Sequence, residues 1–232
     1  RIAVIPARGG SKRITRKNIK EFCGKPMIAW SIEAAIKSNC FERIVCSTDD
    51  EKIASIAREC GAETPFLRHH ELSDDHTGTT PVVAHAIEYL QNIENRIDLV
   101  CCIYATAPFI QAVDLKKSLK QLENENANYC FSVTSYPFPI QRSLRITEVN
   151  RCEMFQPEMF DLRSQDLEEA YHDAGQFYWG KKTAWLESEH IFSLNSIPYI
   201  LPRYLVQDID TEEDWIQAEL MFEALKSFEH NR

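Results

Sequence analysis

No apolar run in the 232-residue sequence is longer than a strand. This argues against a membrane-spanning helix, which needs about 20 consecutive apolar residues. Positive charge is in short supply, with 26 Lys and Arg against 35 Asp and Glu and a net charge of -9. A chain so acidic is not expected to bind nucleic acid or a membrane surface through bulk charge. The eight cysteines, at 23, 40, 46, 60, 101, 102, 130 and 152, include no Cys-x-x-Cys pair. Four of them fall in apolar strand-like segments, where Cys serves as a small hydrophobe. Neither a zinc site nor a disulfide framework is expected, and reduced thiols suit a cytoplasmic protein. Internal repeats, low-complexity tracts and a clear linker are also missing, so one domain is expected over 1–232. No signal peptide is expected, because the first residues read directly as a strand.

What the sequence does contain is an ordinary globular mix, 44% hydrophobic and 26% charged, arranged as alternating strand and helix patterns. Strands are expected at 2–5, 43–47, 63–67 and 98–104. Helices are expected at 26–37, 51–58, 79–94 and 115–122, where apolar residues recur every 3.6 positions. Pro26 suits the first turn of its helix. Asp49 or Asp50 suits an N-cap, and Gly61 a helix end. This βαβ rhythm predicts an α/β fold with a mainly parallel sheet covered by helices on both faces. After 128 the rhythm changes. A strand at 129–135 precedes a β-rich insertion over about 136–172, with short strands at 144–146 and 152–155. Strands at 176–179, 197–201 and 205–209, a short helix at 183–186 and a terminal helix follow. Thr211 and Asp214 have capping-box spacing at the start of that last helix.

Two segments carry chemistry. Residues 3–18 read Ala-Val-Ile-Pro-Ala-Arg-Gly-Gly-Ser-Lys-Arg-Ile-Thr-Arg-Lys-Asn, an apolar strand opening into a loop with two glycines, a serine and five cations. Gly9 and Gly10 let the backbone turn and approach phosphate oxygens. Arg8, Lys12, Arg13, Arg16 and Lys17 supply neutralising charge. Neither Gly-x-x-x-x-Gly-Lys-Ser/Thr nor Gly-x-Gly-x-x-Gly occurs in the loop. A solvated basic loop is the simpler reading, but its place after the first strand of an α/β sheet is where ligands gather. The second segment is Asp208-Ile209-Asp210. On an extended strand the two carboxylates would lie on one face, roughly 6 to 7 Å apart along the chain. Two like charges that close call for a cation, and Mg²⁺ takes one or two carboxylates with phosphate oxygens. Acids favoured at a helix N-terminus are the alternative. Taken together, the segments suggest chemistry on a nucleoside triphosphate.

The residues Ile5-Pro6-Ala7-Arg8-Gly9-Gly10-Ser11-Lys12 and Arg16-Lys17-Asn18-Ile19 resemble the CTP-binding signature of the nonulosonate cytidylyltransferases, which make CMP-sialic acids and their bacterial relatives. Ser47-Thr48-Asp49, Arg68 with Glu71-Leu72, and Asp208-Ile209-Asp210-Thr211 also match, so the likeness spans nearly the whole chain. It implies a Rossmann-like fold, a homodimer formed through the inserted arm, and Mg²⁺. By the same resemblance Ala7, Arg8, Gly10, Ser11, Lys12, Asn18, Arg68 and, with a one-residue shift, Thr80 would bind CTP. Arg8, Lys12 and Lys17 would stabilise charge during transfer, and Asp208 and Asp210 would hold Mg²⁺.

The sugar side departs from the sialic-acid pattern. Where that pattern has Gln-Pro-Thr-Ser-Pro-Leu-Arg, this chain has Tyr104-Ala105-Thr106-Ala107-Pro108-Phe109-Ile110. Arg-Pro-Asn-Gly becomes His172-Asp173-Ala174-Gly175. These forms, with Phe138-Pro139-Ile140-Gln141-Arg142, resemble the branch that activates pseudaminic acid, a 5,7-diamino nonulosonate used in flagellin or surface-glycan modification. Tyr104, Gln141, Arg142, Arg163 and Asp173 are then the candidate sugar contacts. Legionaminic and sialic acids remain alternative substrates. From another class, Asp-x-Asp also serves as the metal motif of glycosyltransferases. Those usually carry it mid-chain, and the basic loop would then have no task.

Overall fold

The computed structural model describes residues 1–74, 76–93 and 96–230. In chain order it forms β1 (Ile2–Pro6), a ribbon of β2 (Glu21–Phe22) and β3 (Lys25–Pro26), α1 (Met27–Ser38), β4 (Arg43–Ser47), α2 (Glu51–Glu59), α3 (Thr79–Gln91), β5 (Leu99–Ile103) and α4 (Ala112–Glu125). Then come β6 (Tyr129–Ser135), a ribbon of β7 (Leu144–Ile146) and β8 (Cys152–Met154), β9 (Tyr171–Lys181), α5 (Lys182–Leu186), β10 (Ser196–Ile200) and α6 (Glu212–His230). Short 3-10 turns join several of these.

Six strands make one sheet in the order β10-β6-β9-β5-β1-β4. β1 is parallel to β4 and β5, and β10 is parallel to β6. Only β9 runs antiparallel to its neighbours, between β5 and β6. The fold is the Rossmann-like α/β arrangement expected from the sequence. Side chains alternate across β1 as a pleated strand requires. Ala3 and Ile5 join Ile28, Ile32, Leu115 and Leu119 of α1 and α4, while Ile2 and Val4 join Val83, Ile87 and Leu90 of α3 with Trp185 of α5. The adjacent Cys101 and Cys102 divide between the same two cores.

Local chemistry explains most element ends. Pro26 sits at the N-cap of α1, one position before the first turn. Asp50, not Asp49, caps α2, its Oδ1 accepting from the Lys52 and Ile53 amides at 2.8 and 3.0 Å. Gly61 leaves that helix at a φ of +99°. At α6 the Thr211 hydroxyl accepts from the Asp214 amide, and the Asp214 carboxylate accepts from the Thr211 amide, at 3.2 and 2.8 Å. Helix α3 ends at Gln91; its expected last position, 94, lies outside the described residues. Among the described residues no helix is long and apolar enough to cross a membrane.

Three expectations need correction. Residues 63–67 make only two isolated parallel bridges, Val45 with Glu63 and Thr48 with Leu67, because Pro65 between them has no N–H to give a ladder. The strand expected at 205–209 is a 3-10 turn over Arg203–Leu205 followed by irregular chain. Val206 is extended there but has no ladder partner. Strand β9 begins at Tyr171 rather than 176, since Tyr171, His172 and Asp173 pair with Ser135, Thr134 and Val133. The segment between β6 and β9 leaves the sheet and carries the β7 and β8 ribbon, with Phe138, Val149 and Phe160 at 70% exposure or more.

A third core decides where the two chemical segments lie. Ile14 of the basic loop and Ile209 between the aspartates are both buried with Phe22, Met27, Phe109 and Trp215. Phe22 meets Trp215 edge to face at 5.4 Å. Each isoleucine gains about 1.5–3 kcal/mol from burial, so apolar packing draws the two ends of the chain together.

Candidate active site

The loop after β1 crosses the carboxyl ends of β1 and β4, beside the switch between β4 and β5 where open α/β sheets bind ligands. Backbone and acid contacts tie it down. The Ala7 amide donates to the Ser47 carbonyl at 2.9 Å, and the Gly9 amide to Asp49 Oδ1 at 2.8 Å. Asn18 donates to the Arg8 carbonyl at 2.9 Å. Arg16, at a φ of +52°, places its guanidinium 2.6 Å from Asp50 Oδ2. Gly9 packs closely, since a Cβ there would meet the Asp50 side chain at 3.0 Å and press it aside by a few tenths of an ångström. Its amide serves Asp49 rather than pointing to a free site.

Beside this loop lies a cavity of about 310 Å³ lined by five cations, Arg8, Lys12, Arg13, Lys17 and Arg68, and by no described carboxylate. Ser11, Asn18 and Tyr104 also line it. In an acidic chain this is a local site for a polyanion. Ala7 is buried beneath the loop and Gly10 lies outside the lining. Thr80 does not line the cavity, whereas Thr79 does; one helical step of about 100° separates them. Thr79 and its neighbour Gly78, both missed from the sequence, form part of the wall, and the Thr79 hydroxyl is 3.0 Å from the Tyr104 hydroxyl. Arg68 is buried, and its Nε and one terminal nitrogen have no partner. Burial lowers its pKa, with the Asp49 charge opposing the shift. Buried donors without a partner, on a residue that lines a cavity, call for acceptors that a ligand could bring.

Neither carboxylate of the acidic pair lines the cavity, but Asp210 holds two residues of its wall from the other end of the chain. Asp210 is 2.9 Å from Arg13 and 3.3 Å from Lys17, both cavity-lining residues. Lys17 also donates to the Ile209 carbonyl. Among the described residues no hydrogen bond or ion pair reaches the Asp208 carboxylate. Partial desolvation raises its pKa, and the neighbouring charge of Asp210 raises it further. Lys17 and Arg13 offset only part of that cost, and two carboxylates with one raised in pKa beside the other fit a hard divalent cation such as Mg²⁺.

On the sugar side the candidates divide. Tyr104 is in the cavity wall. Asp173 is exposed and accepts from the Tyr178 hydroxyl at 2.5 Å and the Gly175 amide at 2.9 Å. Gln141, Arg142 and Arg163 are not brought to this chain's cavity. They are engaged inside the inserted segment, with the Glu168 carbonyl, the Leu162 carbonyl and the Asp166 carboxylate.

A mainly parallel sheet with a cationic cavity at its carboxyl edge and a nearby acid pair is the arrangement of a nucleotide-binding α/β protein. The chain belongs to the cytidylyltransferase family, whose model matches residues 2–229. It is 46% identical to a pseudaminic acid cytidylyltransferase of Campylobacter jejuni, over 96% of each chain. It is 31% identical to a CMP-N,N'-diacetyllegionaminic acid synthase of Legionella pneumophila, again over 96% of each. The fold is also that of a CMP:2-keto-3-deoxy-manno-octonic acid synthetase solved with CTP. That match has a TM-score of 0.68 over 96% of this chain and 98% of the other, at 15% identity.

Proposed function

We propose that the chain transfers CMP from CTP to pseudaminic acid and releases pyrophosphate. The observation that carries this reading is the placement of Lys17, which lines the cationic cavity and grips Asp210 and the Ile209 carbonyl. One residue thus joins a phosphate site to a metal site. Identity to the Campylobacter protein over nearly the full length supports the choice of substrates.

In this reading Arg8, Lys12 and Lys17 surround the triphosphate and stabilise the charge that grows on it during transfer. Ser11 and Asn18 line the phosphate end, and Ala7 and Gly10 shape the loop that carries them. Arg68 donates its open N–H groups to a carbonyl of the base, with Thr79 or Thr80 beside it. The anomeric hydroxyl of the sugar attacks the α-phosphorus in line. The hydroxyl gives up its proton to water as the new oxygen–phosphorus bond forms, and the bond from the α-phosphorus to the bridging oxygen breaks, its electron pair leaving with pyrophosphate. The chain's main contribution is position and charge. Asp208 and Asp210 would hold Mg²⁺, which when bound neutralises phosphate oxygens and eases deprotonation of the attacking hydroxyl.

The inserted segment supports a homodimer, because Phe138, Leu144, Ile146, Phe155 and Phe160 are each exposed on it. Gln141, Arg142 and Arg163 would touch sugar only if the segment of a second copy closed over this cavity. The cytoplasm, with its CTP supply, is the expected location, and flagellin or surface-glycan modification the use of the product.

A panel assay tests the reading. The protein is given CTP, Mg²⁺ and pseudaminic, legionaminic or sialic acid, and pyrophosphate is measured. Pseudaminic acid should give the highest kcat/KM. Faster release with another sugar would reassign the substrate, and no CTP-dependent release with any would end the cytidylyltransferase reading in favour of the glycosyltransferase one.

A further inference from the structure

We infer that Gln176, which does not line the cavity, is a positioning residue for the metal site: its side-chain amide moors the segment that carries Asp208. The inference rests on the functional reading above and says what holds Asp208 in place before a divalent cation arrives.

Gln176 lies where β9 is out of step with β6, between the pairing of Asp173 with Val133 and that of Tyr178 with Phe131. Irregularities of this kind re-aim side chains beside active sites. The Gln176 backbone carbonyl accepts from the Tyr104 amide at 2.9 Å, just past the last pairing of β5 with β9. Its side chain, on a residue only 4% exposed, donates from Nε2 to the Leu205 carbonyl at 2.5 Å. A carbonyl only accepts, so this contact fixes which end of the amide is the nitrogen. Leu205 follows β10, which stands two places from β9 in the sheet, so the chain has turned back along the carboxyl edge to meet Gln176.

Asp208 comes three residues after that contact, and little else holds the stretch. Among the described residues, Gln207 and Asp208 make no backbone-to-backbone hydrogen bond. Val206 packs only in part against the core beneath α1 and α4. The next fixed point is Ile209, buried in the third core, with its carbonyl accepting from Lys17. Asp208 is thus slung between two anchors, Gln176 before it and Ile209 after it. Asp210 is held differently. Its carboxylate meets Arg13 and Lys17, and its amide donates to Asp214. Loss of the Gln176 contact therefore frees Asp208 and leaves Asp210 in place.

A ligand group that wanders must be ordered when the ion binds, and that loss is subtracted from the affinity. Holding the group beforehand with a buried hydrogen bond is preorganisation by a supporting residue. Gln176 gives this support through its side chain and touches Tyr104 only through its backbone. A substitution at Gln176 therefore removes the hold on the acid and keeps the hold on the cavity wall.

The test is Gln176→Met, which keeps the length of the side chain and removes its amide. The Kd for Mg²⁺, by NMR titration, should rise about tenfold, the worth of one hydrogen bond. The Kd for CTP by calorimetry without metal should stay as in wild type, and saturating Mg²⁺ should restore kcat. An unchanged Mg²⁺ Kd overturns the inference. So does a CTP Kd that rises equally, or a kcat that excess Mg²⁺ does not restore, since either marks general damage. A second measurement needs no variant and decides the matter if Gln176→Met does not fold. In wild type, the Gln176 side-chain amide resonances should move as Mg²⁺ is added, with the same midpoint as the Asp208 backbone amide. Movement at Asp208 with none at Gln176 overturns the inference alone. No movement at Asp208 takes the metal from the acid pair, and the inference with it. Movement at both, in a protein that releases no pyrophosphate with any sugar, condemns the functional reading and sustains the mooring.

Discussion

Lys17 and Asp210, 193 positions apart in the chain, meet with Nζ 3.3 Å from Oδ1. Arg13 holds the other oxygen of the same carboxylate at 2.9 Å. The first loop and the last loop of the fold therefore share one anchor at the edge of the cationic cavity.

Lys17→Ala should lower kcat about a hundredfold or more, as expected when a preorganised charge is taken from a transition state. The third core, which does not include Lys17, should keep the fold intact. Circular dichroism and a pyrophosphate assay check both halves, and wild-type turnover in the variant would remove Lys17 from the mechanism.

Arg68→Met should act in opposite directions on stability and binding. The buried guanidinium lacks partners for two nitrogens, so an apolar side chain of similar length removes a desolvation cost. The ligand-free protein should melt no lower than wild type. CTP should bind roughly ten- to a hundredfold more weakly, the worth of charged hydrogen bonds. Thermal melts and calorimetry separate the two effects.

Asp208 gives a pH signature. Its folded pKa is raised, so its ionised form carries a cost that is absent in acid and grows as the pH rises through that pKa. In metal-free protein Asp208→Asn should therefore raise the melting temperature at neutral pH. Mg²⁺ must compete with the proton on Asp208. The melting-temperature gain from Mg²⁺ should fade on acidification at a higher pH than a free aspartate would dictate, and should vanish in Asp208→Asn.

Phe138→Glu combined with Phe160→Glu places charge on two of the most exposed apolar side chains of the inserted segment. Sedimentation velocity should find wild type as a dimer and the variant as a monomer. A wild-type monomer at micromolar concentration would remove the dimer from the proposal.

Gly175→Ala must adopt a φ of +61°, which costs about 1–2 kcal/mol for a residue with a Cβ. Space is not the obstacle, since that Cβ would sit 4.0 Å from Tyr104. The melting temperature should fall by a few degrees, and a larger fall would indicate collapse of the stretch where β9 advances from Asp173 to Tyr178 against only Val133 to Phe131 of β6.

Much of this molecule was legible in its sequence, for identifiable reasons. The strands at 2–6, 43–47, 99–103 and 129–135 are apolar runs that only a doubly covered sheet can bury. The basic loop was legible because five cations in an acidic chain form a local exception. Strand β9 was half hidden, since Tyr171, His172 and Asp173 carry no apolar pattern and owe their extended form to pairing with β6. Leu205 and Val206 misled in the opposite sense: they look like a strand, but no neighbour is placed to complete a ladder. Thr79 was missed because helix phase decides which of two adjacent threonines meets the cavity. Gln141, Arg142 and Arg163 resemble sugar contacts by motif, yet motif does not say whose cavity they reach.

The grease between Ile14 and Ile209 has a consequence for ionic strength. Salt screens the contacts of Lys17 and Arg13 with Asp210 but does not loosen apolar packing. A concentrated electrolyte should therefore weaken nucleotide capture well before it parts the two loops, so activity lost in brine should return at once on dilution, without refolding.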